Sequence, residues 1–513
     1  MQATRSVDKA AKPSNISLAL AANRLGIPSV VFFVMTAATP LTVVAGTVTT
    51  GYATTGLIGI PVAFIAIGIV LALFSVGYVA MAPYTANAGA FYAYISRGIS
   101  KPLGVGGAWV ALVAYSMLQV SLYGGIGFAA APVLQDWFGV NAPWWLIALV
   151  AWAIVAVMGI QQVGVNGKIL AVLLCAEVAI ILVYSTTDLF HPAHNAISFT
   201  TLSPGNLIGT GVGAIFSLAV LGFVGFESAV VFSEESKQPR RTVRVATYLA
   251  VALIAVLYGF ASWAMSVATG PDKIVSASQN QSINLIFSIA GQHLGAGLVD
   301  LGHLLFVTSM LAAMISFHNT TARYMFALGR ERVLPVALGR TSRRTGSPIV
   351  GSLIQTITGL LVIVIYAVTG LDPIIKLFFW VSTAGGVGIL FLLVLTSIGA
   401  IVFFTKNPSG GETLWQRRIA PIAATVLLLV VTWFAVTNFA QLLGVPSSSP
   451  LTWAFPVGFV VVGLLGIGWG LILRARQPEV YQAIGLGAKR AIADSGIGGI
   501  AAANAPTESV VSP

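Results

Sequence analysis

The sequence predicts an all-α membrane protein of twelve transmembrane helices, and three observations predict it. Hydrophobic residues make up 57% of the 513-residue chain and charged residues only 8%, where about a quarter charged is usual for a soluble domain. The apolar residues fall into runs of roughly twenty, the length that carries a helix across the hydrocarbon core, with short polar loops between them. Lysine and arginine gather in alternate loops, the asymmetry that an even number of crossings with both ends on the cytoplasmic side produces.

In chain order the runs place spans near 29–50, 58–81, 104–132, 143–160, 167–187, 207–233, 243–269, 297–323, 349–369, 374–405, 419–440 and 453–473. The third and tenth exceed what a straight crossing needs, so they are expected to tilt or to run beyond the lipid; neither is long enough for two crossings. With cytoplasmic termini, Lys273 and Lys376 are the only two of the 26 basic residues left on the far side. The net charge of +11 is therefore topological. No loop interleaves basic and aromatic residues, which argues against nucleic acid as a partner.

Residues 1–27 read as a cytoplasmic segment without a cleavable signal, in which 16–27 forms either a short interfacial helix or an ordinary linker. Residues 28–474 read as one transporter domain. The Ala-, Gly- and Ser-rich residues 475–513 read as a mobile cytoplasmic tail. Cys175 is the only cysteine, so there is no intrachain disulfide and no cysteine metal cluster. His191 and His194 have Pro192 between them and no cysteine nearby in sequence, so no metal site is expected, nor any cofactor.

Two spans are interrupted near their middles. The sixth carries Gly222 and Gly225 and then Glu227; glycine weakens a helix by about 1 kcal/mol relative to alanine, and a carboxylate at membrane depth is costly enough to imply a function. The charged run that follows, Glu234, Glu235, Lys237, Arg240, Arg241 and Arg244, is expected to lie in water and to mark the helix's exit. The first span reads Ala38, Thr39, Pro40, Leu41, Thr42 at its centre, where proline deletes a backbone bond and clashes with the preceding turn. Breaks five spans apart, an odd number, put the second set of five helices upside down relative to the first. That is the pattern of transporters that bind substrate where two broken helices meet at the midplane. Ala38–Thr42 and Leu221, Gly222, Phe223, Gly225 and Phe226 are accordingly the expected substrate-binding residues, with Glu227 and Glu177 as gating or coupling groups. Tyr115, Ser116, Gln119 and Ser121 in span three and Trp380, Ser382 and Thr383 in span ten either polarise the cavity or bridge helices.

The run GFVGFES from Gly222, followed by Lys237, Pro239 and Arg241, resembles the sixth-span signature of the amino acid, polyamine and organocation (APC) superfamily of secondary transporters. The stretch over residues 61–115, with Gly89, Tyr92, Tyr94 and Arg97, is similar to that family's second and third spans, and residues 318–335 to its eighth span and following loop. The resemblance covers about residues 28–440. It implies repeats over about 28–190 and 205–406, peripheral helices eleven and twelve over 419–474, and uptake or exchange of amino acids, or alternatively of polyamines or other organic amines. The departures are also legible. Proline stands at the first break where the family has a Gly-Ser-Gly type sequence, Leu221 stands where several members have an aromatic gate, and Glu177 stands where some proton-coupled members have a lysine.

No GxxxxGK[ST] loop is present, so no ATP-driven motor is encoded, and no nucleophile, base and orienting group gather at one depth as a membrane enzyme requires. The reading is a secondary transporter in the cytoplasmic membrane, with an amino acid as substrate and protons, or alternatively sodium, as the coupling ion. Aspartate and glutamate are the least expected substrates, since no Lys or Arg is available within the spans to pair with them.

Overall fold

A computed structural model describes residues 16–487, apart from 18, 19, 21, 22, 86, 210, 409 and 410. Residues 1–15 of the expected N-terminal segment and 488–513 of the expected tail lie outside the described residues. Among those described, eleven helices are long and apolar enough to cross a membrane: Ile27–Thr55, Ile60–Met81, Lys101–Phe138, Val163–Phe190, Val212–Val230, Pro239–Thr269, Ala296–Arg330, Ile349–Thr369, Pro373–Lys406, Trp415–Thr437 and Leu451–Arg476. The shorter apolar helix Trp144–Ile160 completes the predicted twelve as span 4.

Several spans run past the apolar segments that announced them. Span 3 begins at Ser100, whose side chain caps the Leu103 amide, and continues to a left-handed Gly139. Span 7 starts with Pro239 at its first turn, where proline's missing N–H costs nothing. Polar residues prolong these helices because helical hydrogen bonding continues into water; the hydropathy signal ends at the lipid boundary, not at the helix end.

Span 3 is the axis of the bundle, packing along spans 8, 10 and 12, while span 1 lies against spans 5, 7 and 8. Span 11 packs on spans 2 and 10 and on the first half of span 6, so spans 11 and 12 sit outside the two sets of five. A nine-residue helix, Ala90–Gly98, links spans 2 and 3. Helices Ile274–Gln281 and Leu285–His293 lie between spans 7 and 8.

Two terminal expectations are corrected. Where an interfacial helix is one alternative for residues 16–27, no helix forms among the described residues before Ile27, and Asn23 turns through the left-handed region. Ile16–Ser17 pairs antiparallel with Thr341–Ser342, and Leu25 bridges to Ser236, because the neighbouring loops offer backbone partners that an isolated helix would forgo. The stretch after span 12 is not loose at its start: Pro478–Ala483 is helical, and the turn after it docks onto Glu331 as described below.

Candidate functional site

Pro40 excludes the α conformation from the residue before it, and Thr39 takes the left-handed conformation at φ +45°. The helix stops at Ala37 and restarts at Pro40, passing through a π segment, Val43–Val48, before ending at Thr55. A restarted helix has unpaired amides at its head. The Leu41 amide donates to Glu177 Oε1 at 2.5 Å, and Ser309 Oγ of span 8 donates to the same oxygen at 2.6 Å. Thr42 Oγ1 lies 3.3 Å from Ser309 Oγ. A carboxylate at this point also suits the positive end of the second half-helix. On the other side of the break, Tyr258 Oη donates to the Ala38 carbonyl at 2.7 Å.

Span 6 breaks by a different device. Its first half, Val212–Gly222, gives way to a turn whose Gly225 has φ +115°, followed by the 3₁₀ segment Phe226–Val230. Glycine is needed twice over, since φ is left-handed and a Cβ would come 2.5 Å from Ala37 Cβ. The two breaks therefore touch. Glu227 Oε2 accepts from the Gly225 amide at 2.9 Å and Oε1 from Tyr115 Oη at 2.7 Å, while Tyr78 Oη donates to the Glu227 carbonyl at 2.7 Å.

Between the breaks lies a cavity of about 140 Å³, walled by Ala37, Ala38, Thr39 and Thr42, by Val43, Gly46, Thr47 and Thr50 along the second half of span 1, and by Leu118, Ser121 and Leu122 of span 3. Leu218, Leu221 and Val224 of span 6, Phe317 of span 8, Phe378, Phe379, Ser382, Thr383 and Gly386 of span 10, and Leu442 close it. No side chain on this wall carries a charge. A second chamber of about 130 Å³ shares Thr42, Gly46, Phe378 and Phe379 and reaches the 281–284 turn between spans 7 and 8, so the open space extends away from the chain termini.

Of the residues expected around the substrate, Ala38, Thr39, Thr42 and Leu221 line the cavity, as do Ser121, Ser382 and Thr383. Pro40 and Leu41 are buried beside it. Gly222 faces Phe64 and Val43, Phe223 packs on Phe64 and Tyr258, and Phe226 meets Phe74 edge-on. Glu227 and Glu177 reach backbone amides of the breaks, not the cavity wall. Tyr115 serves Glu227, and Gln119 bonds Tyr123 and Gln355. His318 bonds Ser352 at 2.8 Å, His191 stacks on His293, and His194 meets the exposed Asp272 at 2.9 Å; that hydrogen bond holds the Asp272 carboxyl below its usual range. Phe317, Phe378, Phe379 and Gly386 were not anticipated, and nothing in their local sequence distinguishes them from lipid-facing or packing residues.

On the side of the termini the bundle is sealed, and the run expected in water divides there: Lys237, Arg240, Arg241 and Arg244 are exposed as expected, whereas Glu234 and Glu235 are drawn into ion pairs, which corrects that part of the expectation. Glu235 is 1% exposed and forms a forked pair with Arg323, at 2.6 and 3.0 Å. Glu234 pairs with Arg330 through two contacts of 2.7 Å and accepts from the Ala88 amide at 3.0 Å. The Arg24 and Leu25 amides both donate to the Glu235 carbonyl, at 2.8 and 2.9 Å, and the Lys237 amide donates back to Leu25. A charge is buried only when paired, and the partner arginines lie about ninety residues away in sequence, beyond the reach of local reading. Next to Arg330, Glu331 accepts from Asn87 Nδ2 (2.7 Å), Tyr92 Oη (2.6 Å) and the amides of Gly485 and Gly487 (2.7 Å each). Burial pushes its carboxyl above the ordinary range, against the pull of these donors.

Comparisons with known proteins agree with this geometry. A family model described as amino acid permease matches residues 25–464. The chain is 26% identical over 262 residues to the branched-chain amino acid permease BcaP of Bacillus subtilis, covering 50% of each. It is 23% identical over 287 residues to the chloroplastic cationic amino acid transporter 6 of Arabidopsis thaliana, 54% of this chain and 44% of that one. To the low-affinity putrescine importer PlaP of Escherichia coli it is 25% identical over 263 residues, 48% and 54%. The chain thus matches about half the length of these curated relatives. A solved structure of the manganese transporter of Eremococcus coleocola superposes with a TM-score of 0.58 at 13% identity, over 88% of this chain and 96% of that one, a likeness of fold. With the family model spanning most of its length, the chain belongs to the amino acid permease family.

Proposed function

We propose that this protein is a secondary active transporter that carries amino acids across the cytoplasmic membrane by alternating access, as proton-coupled uptake or exchange, with both termini in the cytoplasm. The observation that carries the reading is the cavity itself. It is bounded by both helix breaks, continued away from the termini by the second chamber, and separated from the terminal side by buried ion pairs. Opening the other side requires parting residues 24–25 from 235–237 and releasing Arg323 and Arg330. Removing one partner of such a buried pair costs about 3–5 kcal/mol, so both partners must be rehydrated or re-paired as the seal opens.

Glu177 is the proposed coupling group and Glu227 the gating group. While Glu177 is ionised, it occupies the amide at the head of the second half-helix of span 1. A proton taken from the outer medium would neutralise it and leave the positive end of that half-helix to the substrate's α-carboxylate. Proton and substrate then load together. Glu227, held by Tyr115 and Gly225, keeps the turn of span 6 seated on Ala37.

The names of the relatives include branched-chain and cationic amino acid carriers and a putrescine importer, which keeps an organic amine as a second reading. Against a diamine stands the uncharged wall, which offers no carboxylate to a second ammonium. The experiment is uptake by reconstituted proteoliposomes under imposed pH or sodium gradients, with competition by amino acids, their decarboxylated amines and their amides. Saturable amino acid uptake driven by an inward proton gradient is the expected result. An amine that competes as well as its parent amino acid decides for the second reading, and uptake driven by sodium but indifferent to pH decides against protons.

A further inference from the structure

Leu221 is the penultimate residue of the first half of span 6, and Gly386 lies in the helical body of span 10; both face the cavity. A Cβ built on Gly386 would overlap Leu221 Cδ2, and the three nearest atoms it would meet all belong to Leu221. The leucine is therefore seated in a notch that exists because residue 386 has no side chain. Both partners stand on regular helix, outside the breaks, so the cavity width at this level is set by how far the isobutyl group sinks into span 10. The remaining wall combines hydroxyls, such as Ser121 and Ser382, with apolar groups, such as Leu118 and Phe379.

Leu221 beside Phe317, Phe378 and Phe379 leaves about 140 Å³ between the breaks, with no charged group on the wall to receive a charged side chain. A side chain longer or wider than leucine's has to extend past Phe378 and Phe379 into the neighbouring chamber. Resting on the transporter reading above, we propose that Leu221 seated on Gly386 is the size filter of this site: uncharged aliphatic amino acids up to about leucine pass, and aromatic and charged ones are rejected. A methyl group at 386 would expel the leucine side chain into the cavity. Shortening residue 221 would do the reverse.

The test measures KM in proteoliposomes for alanine, leucine, phenylalanine and lysine, using wild type, Gly386→Ala, Leu221→Ala and the double variant, with folding checked by thermal unfolding. One methylene in a tight pocket is worth about tenfold or more in discrimination. Gly386→Ala is therefore expected to raise the leucine-to-alanine KM ratio at least about tenfold. Leu221→Ala is expected to admit phenylalanine, and the double variant to recover leucine because the added methyl no longer meets a side chain. If Gly386→Ala folds poorly, the phenylalanine response of Leu221→Ala decides alone. Unchanged ratios in the variants, or a wild type that prefers phenylalanine or lysine, overturn the filter while leaving amino acid transport standing. No uptake of any amino acid by wild type overturns the transporter reading and the filter with it.

Discussion

At the first break, the exposed amide of Leu41 is met by a carboxylate that span 5 sends across, steadied by Ser309 of span 8. At the sixth, the amide of Gly225 is met by Glu227, two residues further along the same chain. One break is closed from outside the helix and the other from within. The backbones differ in the same sense: Thr39, a β-branched residue, is held left-handed at φ +45° against its own preference, whereas Gly225 adopts that region freely. A break held from outside has its local geometry tied to the positions of spans 5 and 8, so moving those spans, or discharging Glu177, changes it directly. A break closed on itself depends less on its neighbours, Glu227 being tied to span 3 by Tyr115 and to span 2 by Tyr78. On the proposed transport reading, the first break is the one placed to respond to an ion and the sixth the one placed to act as a rigid hinge.

The largest effect should come from the self-closed break. Glu227→Gln cannot accept from both Tyr115 and Gly225 through two carboxylate oxygens, and hydrogen bonds to a charged group are worth about 1.5–3 kcal/mol each. Uptake is expected to fall at least about tenfold, with unaltered membrane insertion; near-normal uptake would make Glu227 a packing residue. Glu177→Gln should act on coupling rather than on the hinge. Uptake driven by a pH gradient is lost while exchange of labelled for unlabelled substrate persists, and a variant still accelerated by an inward proton gradient would remove Glu177 from the coupling role.

The backbone difference predicts two smaller and unequal effects. Gly225→Ala adds strain of about 1–3 kcal/mol and thrusts a methyl group at Ala37, so the melting temperature should drop measurably. Thr39→Gly relieves a left-handed residue that costs about 1–2 kcal/mol but gives back about 0.5–1 kcal/mol in chain entropy. Its stability should stay within about 1 kcal/mol of wild type, and equal losses for the two variants would show that the breaks are not built differently.

The breaks could be read from the sequence because proline and paired glycines in an apolar run have few other uses. The facing of side chains around them could not. Spans 3, 6 and 10 are apolar on nearly every side, and a helix without an amphipathic stripe carries no mark of which face meets a cavity. That is why Phe223 and Phe226, adjacent to the break, turn into packing against Phe64, Tyr258 and Phe74, while Phe378 and Phe379, remote in sequence, form the wall. Glu234 and Glu235 were legible as charges but not as buried ones, since their burial depends on arginines brought in by span 8. The docked segment after span 12 is too short to show an apolar period, although Val480, Ala483 and Ile484 are buried and the amides of Gly485 and Gly487 tie it to Glu331.

The contact to Glu331, unlike the burial of Val480 and Ile484 just before it, is nearly invisible to side-chain scanning. The groups that reach it from the tail are the N–H bonds of Gly485 and Gly487, which every amino acid but proline supplies. Both glycines have positive φ, +81° and +61°, so alanine at either would register as backbone strain while leaving the donor in place. Proline at either position removes one donor outright, and a chain ended before 485 removes both and leaves a buried carboxylate with Asn87 and Tyr92 alone. Such a loss costs about 1–3 kcal/mol per unsatisfied group. A reporter protein fused directly after span 12 would do the same damage without altering any residue of the transport site, whereas one appended beyond 487 would leave the contact whole.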